Sequence, residues 1–333
     1  TTGQSRFVEY DWYGEHPEIY SGTYNHPDAS GSHDHGNHVC GTVAGRYYGW
    51  AREANIYALT FNGSHGTTRI FDLVRAFHKK KPINPVTGRK NPTITNSSWG
   101  FRSTSYWTAS SITSINYRGN TYTSSNPGPS GWTAAGLEAD FGLAYSGNFP
   151  TRYAPLDADL EDALVEGIVI IAAAGNSNHY QVREGHPDFN NTLDSSVFGS
   201  NFPMHKGASP GAVPGVICVG AQNSTTDNTR ATYTNYGDRI DVFAPGTRTL
   251  SIAGRGTYGT TMKGAITRSE YSGIDKLMTI QGTSMASPQV CGIIACAATG
   301  RGRFDQDDAI GLIRGLSRDD VIDFDTEATG ITY

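Results

Sequence analysis

At 333 residues with a net charge of -5 and no long basic run, the chain is long enough for one large α/β domain or two smaller ones and carries no signal for nucleic-acid binding. Its 37% hydrophobic and 17% charged residues suit a soluble globular protein with a sizeable core. No apolar run approaches the roughly 20 residues that a membrane-spanning helix needs, so neither nucleic acid nor a membrane is an expected partner. Its four cysteines, Cys40, Cys218, Cys291 and Cys296, lack metal-ligand spacing and read as small buried thiols rather than a disulfide framework.

Thr1-Thr2-Gly3-Gln4-Ser5 has neither a Met nor a signal-peptide pattern. It reads as a matured N-terminus, or as a sequence that begins where an ordered segment begins. Arg6 to Tyr13 alternates apolar and polar residues and is rich in β-formers, which predicts a strand. Gly14 to Ser32 is a polar loop. His33-Asp34-His35-Gly36-Asn37-His38-Val39-Cys40-Gly41-Thr42-Val43-Ala44 follows, with three histidines in six residues. Histidine is a common metal ligand, but the three lack a further carboxylate or histidine at ligand spacing. Trp50 to Phe61 is a turn running into a short strand. Ile70, Leu73, Val74 and Phe77 recur at helical spacing and predict an amphipathic helix from Thr68 to Lys80. Its basic end, Lys79-Lys80-Lys81, complements the helix dipole.

Pro82 to Asn91 is a loop, and Thr93 to Gly100 a strand ending at glycine. Phe101 to Tyr153 is long, poorly charged and rich in Ser, Thr, Gly, Tyr and Trp. Tyr106, Trp107, Tyr117, Tyr122 and Trp132 are its candidates for packing or contact. Leu156, Leu160, Ala163 and Leu164 mark a helix that Gly167 ends. Ile168 to Ala174 is an uninterrupted apolar run, the pattern of a parallel strand covered on both faces, closed by Gly175-Asn176. Ser177 to Pro214 reads as loop, and Gly215–Ala221 and Arg239–Gly246 as strands.

Gln281-Gly282-Thr283-Ser284-Met285-Ala286-Ser287-Pro288 then forms a tight turn, a serine and the start of a helix of small or apolar residues, with Pro288 read in the first turn. A lone serine before a helix is ordinarily an N-cap. This one lies at the positive end of a buried helix, among unpaired N–H groups suited to an oxyanion. Asp305 to Leu316 is a last helix. The alternation of strands and helices predicts an α/β fold: a doubly wound, mostly parallel sheet with helices on both faces.

Three of these stretches resemble the signatures of the subtilisin-like serine proteases, the subtilase family. Gly282 to Pro288 matches the nucleophile motif Gly-Thr-Ser-Met-Ala-x-Pro at all seven positions. His35 to Ala44 resembles the motif His-Gly-x-His-Val-x-Gly-Thr-Val-Ala, and Ala173 to Asn176 the motif Ala-Ala-Gly-Asn. The resemblance implies a three-layer subtilisin-like fold and acyl transfer. Ser284 is the nucleophile, His35 the general base, and Asn176 the oxyanion donor together with the Ser284 backbone N–H. It further implies that Ser98, Trp99 and Gly100 line an edge that takes up extended peptide, and that Ala173 and Gly175 also bind substrate. His38 matches the family's second histidine and is expected to pack inside its helix, and His33 to lie on the surface. Residues 1–333 then form a single catalytic domain, with 101–153 an insertion beside the cleft. No cofactor is required, and a structural calcium has no identifiable site.

The family's triad acid sits before the histidine in an Asp-Ser/Thr-Gly turn, and no such turn occurs here. Asp11 is the nearest candidate by position. Asp34 adjoins His35 and is badly placed to bond its ring, and Asp28 lies in a loop. With Arg6–Tyr13 read as the family's second strand, the acid-bearing strand falls before Thr1; Asp11 in that role, and true absence, are the other readings. Two functions follow. One is a serine endopeptidase whose partners are a peptide or protein substrate and its own cleaved N-terminal segment. The other is a catalytically impaired fold that serves as a structural or binding component of a larger protein assembly. The stretch from His35 to Asn55 also resembles subtilases of tailed phages, which suggests an extracellular or virion-associated setting.

Overall fold

The computed structural model describes residues 6–24, 34–60, 67–103, 106–144, 148–223, 229–253, 266–267 and 276–318. In chain order the elements are β1 (Phe7–Val8), α1 (Asp34–Ala44), β2 (Ile56–Tyr57), α2 (Ile70–Lys80), β3 (Ile94–Ser97), β4 (Arg102–Ser103), β5 (Ile112–Tyr117), β6 (Asn120–Tyr122), α3 (Ala134–Phe141), β7 (Phe149–Pro150), α4 (Ala154–Val165), β8 (Val169–Ala173), β9 (Thr192–Ser195), β10 (Gly199–Pro203), β11 (Ile217–Gln222), β12 (Val242–Pro245), β13 (Thr249–Ala253), β14 (Ile266–Thr267), β15 (Lys276–Ile280), α5 (Thr283–Ala297) and α6 (Gln306–Leu316).

The site stands on a parallel sheet of order β12-β11-β8-β3. Ile94 pairs with Val169, Ile217 with Ile171, and Val219 with Val242. β8 is apolar throughout because both its faces are covered. Val169 and Ile171 point to one side, where Ala286, Val290 and Ile294 of α5 and Ile313 of α6 meet them. Ile168, Ile170 and Ala172 point to the other, against Phe71 and Val74 of α2 and Leu156 and Leu160 of α4. Each large side chain buried this way contributes about 1.5–3 kcal/mol. The result is three layers, helix on sheet on helix, as the sequence pattern predicts.

α1 lies beside α5 and against β13. β13 pairs antiparallel with β15 over five residues, Thr249 opposite Ile280 to Ala253 opposite Lys276. Gly41 permits the close approach of α1, because a Cβ there would stand 2.4 Å from Ser251 Oγ.

Several expectations are corrected. The strand predicted over Arg6–Tyr13 is only Phe7–Val8, paired parallel with Ile56–Tyr57. The chain then turns: Gly14 N donates to Asp11 Oδ1 at 2.9 Å. Trp12 and Tyr13 are buried in an aromatic cluster with Tyr10, Tyr24 and Phe77. Packing of large rings here outweighs the alternating pattern. The stretch read as loop from Ser177 to Pro214 contains β9 and β10. They join β5 and β6 in a separate antiparallel sheet of order β10-β9-β5-β6. That sheet has its own core of Trp107, Ile115, Leu137, Phe141, Phe149 and Leu193. Of the aromatics between Phe101 and Tyr153, Trp107 is buried and Tyr106 exposed. The cysteines are free, but only Cys218 and Cys291 are buried; Cys40 is half-buried and Cys296 exposed.

Candidate active site

α5 begins at Thr283, with Gly282 as its cap at φ 148°, a conformation that favours glycine. Ser284 is therefore the second residue of the helix rather than the residue before it. Its side chain is half-buried, and its hydroxyl donates to the Ser98 carbonyl at 3.1 Å. Pro288 lies in the second turn of α5, not the first, since the helix starts at Thr283.

Asn176 follows β8 in the turn that Gly175 opens at φ 103°. Its Oδ1 accepts from the Thr283 backbone N at 2.8 Å and from Thr283 Oγ1 at 2.9 Å. Thr283 Oγ1 in turn accepts from Gly175 N at 3.1 Å. With the oxygen end tied to Thr283, the Asn176 amide nitrogen is directed at Gly282. A Cβ on Gly282 would sit 3.3 Å from Asn176 Nδ2 and 3.7 Å from Ser284 N. One side-chain and one backbone nitrogen thus lie close to one point at Gly282, and an oxyanion is stabilised where such donors meet.

Asn235, which sequence reading missed, holds this turn from below. Its Oδ1 accepts from Ser177 N and His179 N, both at 3.0 Å, and its Nδ2 donates to Ala174 O at 2.8 Å. It is buried, and a Cβ on Gly175 would meet Asn235 Nδ2 at 2.4 Å. An isolated asparagine between Thr234 and Tyr236 offers no sequence signal for that role.

His35 lies in the first turn of α1, exposed, and lines a cavity of about 2140 Å³. Surrounding protein lowers its pKa below the ordinary 6.5. Ser98 and β3 line the same cavity, but the Ser284 hydroxyl is turned to Ser98 rather than to an imidazole. His38 is fully buried, with Nε2 3.0 Å from Thr249 O and 3.2 Å from Met278 O, so it clamps β13 and β15 to α1. Burial pushes its pKa down to about 4. His33 and Asp28 lie outside the described residues, as does the side chain of Asp34. Asp11 spends its carboxylate on its own turn, accepting from Gly14 N. Among the described residues no group of three or more His, Cys, Asp or Glu is placed to hold a metal ion.

Of the residues assigned to peptide uptake, Ser98 turns its side chain inward to α5 and is 8% exposed. Trp99 is half-buried against the α2–α4 face of the sheet. Gly100 is exposed, and the neighbouring Phe101 N donates to Ser209 O at 2.9 Å. Ala173 ends β8, and a Cβ on Gly211 would stand 3.0 Å from its carbonyl. The stretch 209–211 therefore touches both the Trp99–Phe101 segment and Ala173, tying the two sides together. Only its glycine and proline content was legible in the sequence.

Comparison with known proteins places these features in context. Alkaline protease 1 of Emericella nidulans is 28% identical over 269 residues, covering 80% of this chain and 43% of that protein. Alkaline protease 2 of Aspergillus fumigatus is 29% identical over 270 residues, covering 80% of this chain and 37% of that protein. This chain thus spans less than half the length of these fungal relatives. The crystal structure of a cold adapted subtilisin-like serine proteinase shares the fold, with a TM-score of 0.55 at 21% identity over 97% of this chain and 79% of that one. The family model described as the subtilase family matches residues 4–316, and the chain belongs to that family.

Proposed function

We propose that this chain is the catalytic domain of a serine endopeptidase acting on peptide or protein substrates through an acyl-enzyme. The observation that supports the reading is that Asn176 Nδ2 and Ser284 N both lie within 4 Å of one point at Gly282, 3.3 Å and 3.7 Å from a Cβ placed there, close in the chain to Ser284. Ser284 attacks the scissile carbonyl, whose oxygen becomes negative between those two donors. His35 takes the Ser284 proton and returns it to the leaving amine. This requires the Ser284 hydroxyl to leave the Ser98 carbonyl and turn to the imidazole.

The acid is the part the described residues do not supply. β2 pairs only with β1, and β3 only with β8, among the described residues. Residues of both strands line the cavity of about 2140 Å³, as does His35. A parallel strand seated there, carrying a carboxylate toward His35, would join the two sheet fragments and complete the triad. Loss of the acid alone costs about 3 × 10⁴ in kcat where such a triad has been dissected, so the seat matters. The same cavity favours the second reading, a catalytically impaired fold within a larger assembly.

The test is hydrolysis of a chromogenic peptide and of denatured casein by the wild-type chain, Ser284→Ala and His35→Ala. Turnover that both substitutions abolish supports the endopeptidase. Turnover that survives Ser284→Ala, or none in the wild type, supports the impaired fold.

A further inference from the structure

We propose that Ser98 is a positioning residue for Ser284, acting through the carbonyl that Pro288 leaves without its helical partner. The inference rests on Ser284 being the reacting residue. In an α-helix the N–H of residue 288 would bond the carbonyl of residue 284. Pro288 has no N–H, so within α5 that bond is missing, directly beneath the reacting serine. A buried carbonyl without a donor is costly. The Ser98 hydroxyl takes the place of the missing donor, giving its hydrogen to Ser284 O at 2.9 Å.

The rest of the Ser98 hydroxyl is committed so that this hydrogen has no other use. Asn96 Nδ2 donates to Ser98 Oγ at 2.9 Å, and the Ser287 hydroxyl lies 3.0 Å from it. A hydroxyl has one hydrogen and two acceptor positions. With Asn96 and Ser287 filling the acceptor positions, the hydrogen points to Ser284 O. The return contact, Ser284 Oγ to Ser98 O at 3.1 Å, closes a reciprocal pair between the two serines. Ser98, the residue that follows β3, thereby holds the backbone of the first turn of α5. That hold sets where Ser284 stands relative to Asn176, which is tied to the neighbouring Thr283.

The experiment is a double-mutant cycle of Ser98→Ala and Pro288→Ala, read by urea unfolding and by the second-order rate of modification with a fluorophosphonate. Ser98→Ala orphans the Ser284 carbonyl. Pro288→Ala restores an N–H to reach it. Ser98→Ala alone is expected to slow modification about tenfold, equivalent to about 1.4 kcal/mol, and to lower kcat on a peptide substrate while leaving KM unchanged. In the Pro288→Ala background the same change is expected to slow modification less than twofold, and the unfolding midpoints should be non-additive in the same direction. A loss of packing alone would be additive with Pro288→Ala and would not be rescued. Additive unfolding energies, or an unrescued rate, overturn the proposal. A wild-type chain that fails to react at all counts against the hydrolase reading, and the unfolding cycle then decides the Ser98–Ser284 contact independently.

Discussion

At the scale of single residues, the amide of Asn176 is fixed by what its oxygen does. Thr283 supplies two donors to that oxygen, so the nitrogen end is pre-aimed at the space by Gly282 before any substrate arrives. Replacing Asn176 by Ala should lower kcat by about 10²–10³ with little change in KM, since the donor acts on charge that appears only in the transition state. Steady-state kinetics on a peptide anilide checks this; equal loss in both parameters would point to a ground-state contact instead. His35 carries a second prediction. Partial desolvation by the protein around this surface-exposed imidazole lowers its pKa below 6.5, which favours the neutral form, the one that accepts a proton, in the neutral range. The acid limb of kcat/KM in this chain should therefore fall below pH 6.5, and a His35→Ala variant should lose the limb with the activity. Ser284, His35 and Asn176 stand out in the sequence as candidates because each lies in a short contiguous motif. Asn235 and the partnership of Ser98 with Pro288 were not, because they join positions far apart in the chain through bonds no local pattern records.

At the scale of elements, β8 and the helices flanking it were readable because apolar runs and helical spacing report burial directly. β13 and β15 escaped notice. Each is a short, mixed stretch whose place is set by α1, and the link is one histidine. His38 binds the carbonyls of Thr249 and Met278 while fully buried. Its pKa of about 4 in the folded chain lies below the ordinary 6.5, so the unfolded state takes up its proton first as pH falls. The sign is that stability contributed by neutral His38 is complete above pH 6.5 and declines between 6.5 and about 4. Thermal unfolding followed from pH 7.5 to 4.5 should show Tm falling across this window, less steeply in His38→Gln, which keeps a donor but does not titrate. An equal slope in both would assign the acid sensitivity elsewhere, His179 being a fully buried alternative with a pKa of about 3. At the other end of the chain, Asp305 caps α6 by accepting from Asp308 N at 3.2 Å. Asp305→Ala should cost about 0.5–2 kcal/mol by urea unfolding with activity unchanged, because its side chain bonds within the capping turn of α6.

At the scale of the molecule, the notable feature is a break in the parallel pairing among the described residues. Four strands are joined from β12 to β3, two more stand apart as β1 and β2, and a cavity of about 2140 Å³ lies between. The sequence pointed to this only indirectly, through an acid motif that could not be found and a first strand read as the second of its kind. Small carboxylates offer a check on the gap. Formate should enter it and raise the rate of peptide hydrolysis several-fold in a saturable way, by standing in for a carboxylate at His35; an unchanged rate would mean that an acid already faces the imidazole.

The whole account turns on Ser284 becoming covalently attached to what it attacks, and the most direct measurement is mass spectrometry of the chain after exposure to a fluorophosphonate. The expected result is a single adduct on the peptide containing Ser284, lost in Ser284→Ala and strongly slowed in His35→Ala. An unmodified Ser284 in the folded wild-type chain, or an adduct carried by another residue, would contradict it.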